Sequence, residues 1–425
     1  MHFYADFHIH SRFSRATSPR LDLEHLFVWA QLKGIGVVGT GDFVHPAWLD
    51  ELREKLIEAE PGLFALKKAV QKPLLEKIPP RCRAPVRFIL VTEISNIYKR
   101  YGKVRKVHNL IFAPSFTTAR RIQKKLAARG NISSDGRPIL GLDSRDLLYI
   151  VLETDPFAFL VPAHIWTPWF SVLGARSGFD SLEQCYGELS RYVFAVETGL
   201  SSDPPMNRLV SGLDRCSLIS CSDAHSPIKL GREATIFSTE PDYFSIRAAL
   251  EDPKDPGLVG TVEFFAQQGK YYLDGHRKCG FRQGPHDSPA VAGVCPVCGK
   301  TLTEGVLSRV KRLADRKESE SGVWDRCYES LISLSDIVAQ AEGVGSTTKR
   351  VCGIVQSCYR ELGNELEILR AAPLGRIEDV AGRMIAEGVG RMREGRVHID
   401  AGYDGQFGEV RLFTDKDLPR NTPRR

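Results

Sequence analysis

Apolar and polar side chains alternate from Phe3 to His10 with the two-residue period of a strand, so His8 and His10 fall on one face. Six further short apolar runs follow, at 36–38, 86–91, 108–112, 157–161, 192–196 and 216–219. Segments of helical pattern lie between them, at 21–33, 46–60, 117–129 and 143–152. Strand and helix in alternation predict an α/β fold, a largely parallel sheet or barrel, over residues 1–265. Prolines at 61, 73, 79, 80 and 85 mark residues about 60–85 as an insertion carried on its surface. A helix over 243–250 is expected to end the barrel. Residues 266–305 then read as a small appended module and 306–425 as a mainly helical domain, with helices at 308–316 and 334–341. That domain ends in a hairpin strand within 402–413 and a basic tail.

With 425 residues the chain is too long for one ordinary domain. Its 42% hydrophobic and 26% charged residues are those of a soluble globular protein. No apolar stretch approaches the ~20 residues of a membrane span and no basic-then-apolar leader opens the sequence, so a cytoplasmic protein without membrane contact is expected. The net charge of +6 is unevenly placed: ten Lys or Arg and no Asp or Glu lie between 99 and 129. Lys99, Arg100, Lys103, Arg105 and Lys106 form the first half of that run, interleaved with Tyr98 and Tyr101, in a predicted hairpin between Glu93 and His108. Such a strip suits a polyanion.

Candidate chemistry collects at the polar ends of the apolar runs: Asp42 with His45, Glu93, His108, His164, Glu197, and Asp223 with His225. Together with His8 and His10 these are imidazole and carboxylate donors, the mixture preferred by Zn, Mn or Fe, and their recurrence at strand ends fits a polynuclear metal site. A separate set lies in the second module. Cys295-Pro296-Val297-Cys298-Gly299 is a zinc knuckle, and His276 with Cys279 supplies a second pair at matching spacing, His286 being the alternative to His276. Four ligands leave no open position, so that zinc is structural.

The spellings Asp6-Phe7-His8-Ile9-His10-Ser11-Arg12-Phe13-Ser14, Gly39-Thr40-Gly41-Asp42-Phe43, Thr92-Glu93-Ile94-Ser95 and Ser222-Asp223-Ala224-His225-Ser226 resemble the PHP (polymerase and histidinol phosphatase) metallohydrolases. Within that superfamily the chain resembles the endonuclease Q family over nearly its whole length. The resemblance implies a distorted PHP-type (β/α) barrel. It also implies two or three divalent catalytic metals, Zn, Mn or Mg, beside the structural Zn. His8, His10, Glu93 and Asp223 would hold one metal and Glu93, His108 and His164 a second, with Glu93 bridging. Asp42 and His225 would serve a third position, although Asp42 stands where most relatives have a His. Glu197 is either a ligand or the carboxylate that fixes a ligand His. Asp223 and Glu93 would be catalytic, and His45 a ligand, a proton donor to the leaving oxygen or a structural residue.

The family further implies a DNA repair endonuclease that cuts 5′ to a deaminated base (hypoxanthine, uracil or xanthine) or an abasic site, leaving a 3′-hydroxyl and a 5′-phosphate. Double-stranded DNA is the expected partner, with single-stranded DNA, a sliding clamp or a helicase as further ones. Trp166 and Trp169, just beyond His164, are candidates to stack on a flipped base. Gly343-Val344-Gly345, followed by Lys349 and Arg350, resembles the phosphate-binding turn of a helix-hairpin-helix motif, and Gly388-Val389-Gly390 is a weaker copy. Residues 409–413 loosely resemble a bacterial clamp-binding pentapeptide, but a buried strand is the expected role. Two other readings stay open: a PHP phosphoesterase acting on a small phosphate monoester, and a noncatalytic DNA-binding subunit.

Overall fold

The computed structural model describes residues 2–284, 293–317, 326–414 and 417. Among them, eleven strands share one mixed sheet. Its path runs Cys327–Leu331, Leu258–Phe264, Ala234–Phe237, Phe3–Asp6, Val37–Gly39, Arg87–Arg100, Leu63–Leu66, Leu56–Glu60. Lys103–Ala113 folds back on Arg87–Arg100 through the Tyr101-Gly102 turn and pairs onward with Phe159–Pro162. A second, two-stranded sheet joins Ala195–Glu197 to Ser217–Ile219 in parallel. The largely parallel sheet expected from strand-helix alternation is therefore corrected. Antiparallel ladders outnumber parallel ones, and two of them, Leu56–Glu60 with Leu63–Leu66 and Arg87–Arg100 with Lys103–Ala113, are closed by tight turns.

Hydrogen-bonded ladders do not close the described strands into one ring, but strand ends are tied across the gaps. Ile9 bridges Ala224, Ile165 N donates to Glu197 O at 3.1 Å, and the buried Asp6 carboxylate accepts from Ser222 N and Gly231 N, each at 2.9 Å. Inside lie Phe7, Phe112, Phe159 and Phe237, with Phe112 stacked on Phe159 at 4.3 Å. The Gly-Thr-Gly-Asp motif has a steric reason. A Cβ on Gly39 would stand 2.0 Å from the carbonyl oxygen of Phe7, so only glycine lets the Asp42 loop lie against the His8–His10 segment.

The helix expected over 46–60 stops at Lys55, and Leu56–Glu60 is a strand paired with Leu63–Leu66. Leu-Ile-Glu-Ala-Glu suits either state locally; Gly62, at φ +71°, turns it back as a hairpin. The stretch 60–85 is thus partly built into the sheet, since Leu63, Phe64, Ala65 and Leu66 are all buried. Five helices, Leu334–Glu342, Lys349–Glu361, Glu365–Arg370, Leu374–Ala381 and Arg383–Arg393, make up most of the C-terminal region. A buried Lys33–Glu365 ion pair (2.8 Å) fastens it to the first helix, Leu23–Lys33. No helix among the described residues is long and apolar enough to cross a membrane.

One expectation is corrected here. Gly388 and Gly390 lie inside the helix Arg383–Arg393, where a Cβ on Gly388 would meet Ile337 at 2.9 Å, so they serve close packing and not a phosphate-binding turn. Val410, Leu412 and Phe413 are buried, and Gln340 bonds both Val410 O and Leu412 N (2.9 and 2.8 Å), so residues 409–413 take the buried-strand role expected of them over the clamp-binding one. Finally, the terminal hairpin His398–Asp400/Glu409–Arg411 reaches back to the knuckle module, where Leu273 N donates to Gly402 O at 2.9 Å.

Candidate metal centre

His8 and His10 leave the central strand Phe3–Asp6 toward the loop that carries Asp223. His10 Nε2 stands 3.1 Å and His8 Nε2 3.6 Å from Asp223 Oδ1. Glu93, in the middle of Arg87–Arg100, faces two ways. Its Oε2 lies 3.5 Å from His8 Nε2 and 3.4 Å from His10 Nε2, while its Oε1 lies 2.6 Å from His108 Nδ1 and 3.4 Å from His164 Nε2. Two three-residue groups result, His8/His10/Asp223 and Glu93/His108/His164, with the donor atoms of each within 4.8 Å of one another.

The donors fit divalent cations on their own chemistry. His8 Nε2 is buried without a hydrogen-bond partner, and Glu93 Oε1 has none either, although His108 Nδ1 is 2.6 Å away. Ring nitrogens of His108 and His164 approach to 3.3 Å. Such convergence of unsatisfied lone pairs is costly in a dry interior unless a cation takes them. Burial works against the Asp223 and Glu93 carboxylates, yet the surrounding histidines, with Arg137 at Glu93, outweigh it and hold both well below the usual range. Burial likewise opposes the charged form of His10, but Asp223, Asp42 and Glu93 raise it to about 9. For His108 burial wins and lowers it to about 4, leaving a neutral imidazole.

Glu197 grips His8 Nδ1 with both oxygens, at 2.9 and 3.0 Å, and accepts His164 N at 2.7 Å. It therefore orients one member of each group and presents His8 Nε2 to the centre. Glu197→Gln is expected to lower metal affinity about 10- to 100-fold. A metal titration by calorimetry checks this, and unchanged affinity would reject the orienting role.

Asp42 joins neither three-residue group. Its Oδ2 already accepts from Ser11 N (2.6 Å), Ser11 Oγ (2.7 Å) and Ser14 Oγ (2.8 Å), and its Oδ1 faces His10 Nδ1 at 3.4 Å. Behind His10, it orients that ring. His225 lines the approach, its Nδ1 2.9 Å from Asp223 O, which leaves Nε2 for a cation or a proton. His45 joins neither group: it stands at the N-cap position of the helix Pro46–Lys55 without a side-chain bond to it, stacks on Phe13 at 4.3 Å and bonds Ser133 O through Nε2 (3.0 Å). Backbone strain gathers at the site, since Asp42, His164 and Asp223 all hold positive φ.

Several residues proposed to bind DNA are engaged elsewhere. Trp166 is 1% exposed and donates to Asn207 Oδ1 at 2.7 Å, so it is core. The Arg105 guanidinium is buried over Phe179 and bonded to Gly178 O, and Arg100 pairs with Asp143 (3.2 Å) and Cys185 O (2.9 Å). Lys99 and Lys103 are exposed, and Lys106 lies over Phe170. Gly343 caps the helix Leu334–Glu342 in the left-handed conformation, Gly345 follows in the turn, and Lys349 starts the next helix; Arg350 pairs with Glu342.

His276, Cys279, Cys295 and Cys298 converge as a third group, with His276 Nδ1 3.4 Å from Cys298 Sγ. Desolvation opposes a thiolate at Cys295, but the amides of Val297 and Cys298 and the His276 side chain pull it down to about 7. His286 lies outside the described residues.

A cleft of about 620 Å³ opens from the metal ligands toward this module. Trp169, Phe170, Tyr271 and Phe407 line it together with Lys229, Arg232 and Lys270. Trp169 meets Tyr271 edge-on at 5.8 Å, and Lys270 lies over both Tyr271 and Phe407. Sequence reasoning found Trp169 but missed the other wall, whose residues lie a hundred and more positions away without periodic signal. It also missed Arg137, whose Nη1 is 3.2 Å from Glu93 Oε2.

Residues 333–396 match the family described as the MJ0043 C-terminal domain. The uncharacterized protein MJ0043 of Methanocaldococcus jannaschii is 31% identical over 259 residues, 59% of this chain; the match spans 32% of that relative's length. The uncharacterized protein YqxK of Bacillus subtilis is 28% identical over 96% of this chain and 99% of its own. Among solved structures, the lesion-specific endonuclease PfuEndoQ of Pyrococcus furiosus superposes with a TM-score of 0.82 at 29% identity, over 99% of this chain and 96% of that one. Endonuclease Q in complex with a 27-mer duplex substrate bearing an abasic lesion at the active site gives a TM-score of 0.82 at 29% identity, over 98% of each chain. In fold and extent, the chain is similar to these endonuclease Q structures along nearly its whole length.

Proposed function

We propose that this protein is a metal-dependent DNA repair endonuclease that hydrolyses the phosphodiester 5′ to a deaminated base or abasic site. The observation that carries this reading is the cleft, in which two ligand groups open onto aromatic faces and cations drawn from four separate stretches of chain. A phosphate monoester needs no such surface; a nucleotide with its neighbouring phosphates does. Divalent cations held by His8/His10/Asp223 and Glu93/His108/His164 would activate a water and stabilise charge on the phosphate. Glu93 spans the two groups, Glu197 and Asp42 fix the imidazoles, and His225 stands at the rim. Trp169, Phe170, Tyr271 and Phe407 offer ring faces to a base lifted from the stack, which costs about a few kcal/mol and least where pairing is already lost. The knuckle carries a structural zinc that holds the second wall.

Nicking of duplexes that each carry one hypoxanthine, uracil, xanthine or abasic site, assayed with Mn, Mg, Zn or none, tests the reading. Lesion-specific, metal-dependent cuts leaving 3′-hydroxyl ends are expected. Turnover confined to phosphate monoesters would reject it. Away from the cleft, Lys99→Ala with Lys103→Ala is expected to weaken binding of damaged and undamaged duplex alike and to reduce the salt slope by about one unit per lysine. A change in lesion preference would show that these lysines do more than hold phosphates.

A further inference from the structure

Arg137 is the one guanidinium hydrogen-bonded to a ligand of either metal group among the described residues: Nη1 lies 3.2 Å from Glu93 Oε2. It is held there by its loop. Gly136 N donates to Phe13 O at 2.9 Å, Arg137 N to Asp135 Oδ1 at 3.1 Å, and Ser95 N to Pro138 O at 3.0 Å, which docks the loop beside Glu93. A Cβ on Gly136 would stand 2.4 Å from Asp42 Oδ2 and 2.5 Å from Ser14 Oγ, so the loop is pressed against the group that orients His10. The side chain is about a quarter exposed, and Glu93 is its only hydrogen-bond partner among the described residues.

That placement is unfavourable for a protein that only binds cations. Glu93 is already faced by four imidazoles, and divalent ions on both groups would add further positive charge within reach of a fixed guanidinium. A cation is kept at such a point when an anion completes the site. Most N–H donors of Arg137 remain unused, and their planar fork matches two oxygens of one phosphate.

We propose that Arg137 binds a nonbridging oxygen of the DNA phosphate at the metal centre and stabilises the charge that grows on it during cleavage. The proposal rests on the nuclease reading for its substrate. Arg137→Ala and Arg137→Lys would be compared with wild type in three measurements: Mn bound per chain, affinity of the Mn-loaded protein for inorganic phosphate by calorimetry, and single-turnover nicking of an abasic duplex. Unchanged Mn content, phosphate binding at least ten-fold weaker, and nicking slower by about 10²- to 10³-fold are expected for the alanine variant, with partial recovery in lysine, which keeps the charge but not the fork. Unaltered phosphate affinity would overturn the proposal. So would nicking restored by excess Mn, which would make Arg137 a positioning residue for Glu93. Should the wild type nick no duplex at all, the nuclease reading falls, while the phosphate titration still decides what Arg137 binds.

Discussion

Asp223→Asn is expected to bind abasic duplex and leave it uncut. Asp223 Oδ1 is the carboxylate oxygen grouped with His8 and His10 on the cleft side, and removing its charge takes away neutralisation where a cation and a phosphate would meet. Several kcal/mol of transition-state stabilisation are at stake, so single-turnover nicking should slow by about 10³-fold or more, at about 1.4 kcal/mol per tenfold. DNA affinity should change far less, because the cleft cations and Lys99 and Lys103 are untouched. Retention of near wild-type nicking in metal-defined buffer would remove the catalytic assignment.

The second large effect is expected at the knuckle. Cys295→Ser with Cys298→Ser removes two of four donors, and ligands of a structural zinc contribute folding energy directly. One equivalent of zinc should be lost, independent of the catalytic metals, and limited proteolysis should open the chain within 270–305. The damage reaches catalysis because Lys270 and Tyr271 adjoin the module and Gly275 pairs with Thr303 across it. Unchanged zinc content would mean that the four residues are not a site. Loss of zinc in His276→Ala would fix the histidine of the set.

The two donor groups were legible in the sequence because Glu93 and His108 lie within strands, His8, His10, His164 and Asp223 lie just beyond strand ends, and His-x-His keeps two donors together. The roles of other residues depended on partners remote in the chain. Trp166 reads as a loop aromatic until Asn207 takes its indole N–H, and Arg105 as a DNA contact until Gly178 takes its guanidinium. Asp42 carries a ligand's spelling, yet Ser11 and Ser14 satisfy it from the far side of His10. Propensity alone could not separate helix from strand at Leu56–Glu60, where the turn at Pro61-Gly62 decides. Polar loops such as 131–138, which delivers Arg137, have no periodicity to read.

The position of Phe3–Asp6 in the sheet sets an order of events during synthesis. One neighbour, Val37–Gly39, leaves the ribosome almost at once, whereas the other, Ala234–Phe237, follows some two hundred residues later. At roughly 5–20 residues per second the second edge of that strand stays open for on the order of ten to forty seconds, and closing so long a loop makes folding slow. The segment bearing His8 and His10 is thus exposed for that interval, open to stray metal and to pairing with other nascent chains. Asp223 arrives only about a dozen residues ahead of the strand that ends the wait, so the first ligand group and the two neighbours of the Phe3–Asp6 strand are completed nearly together.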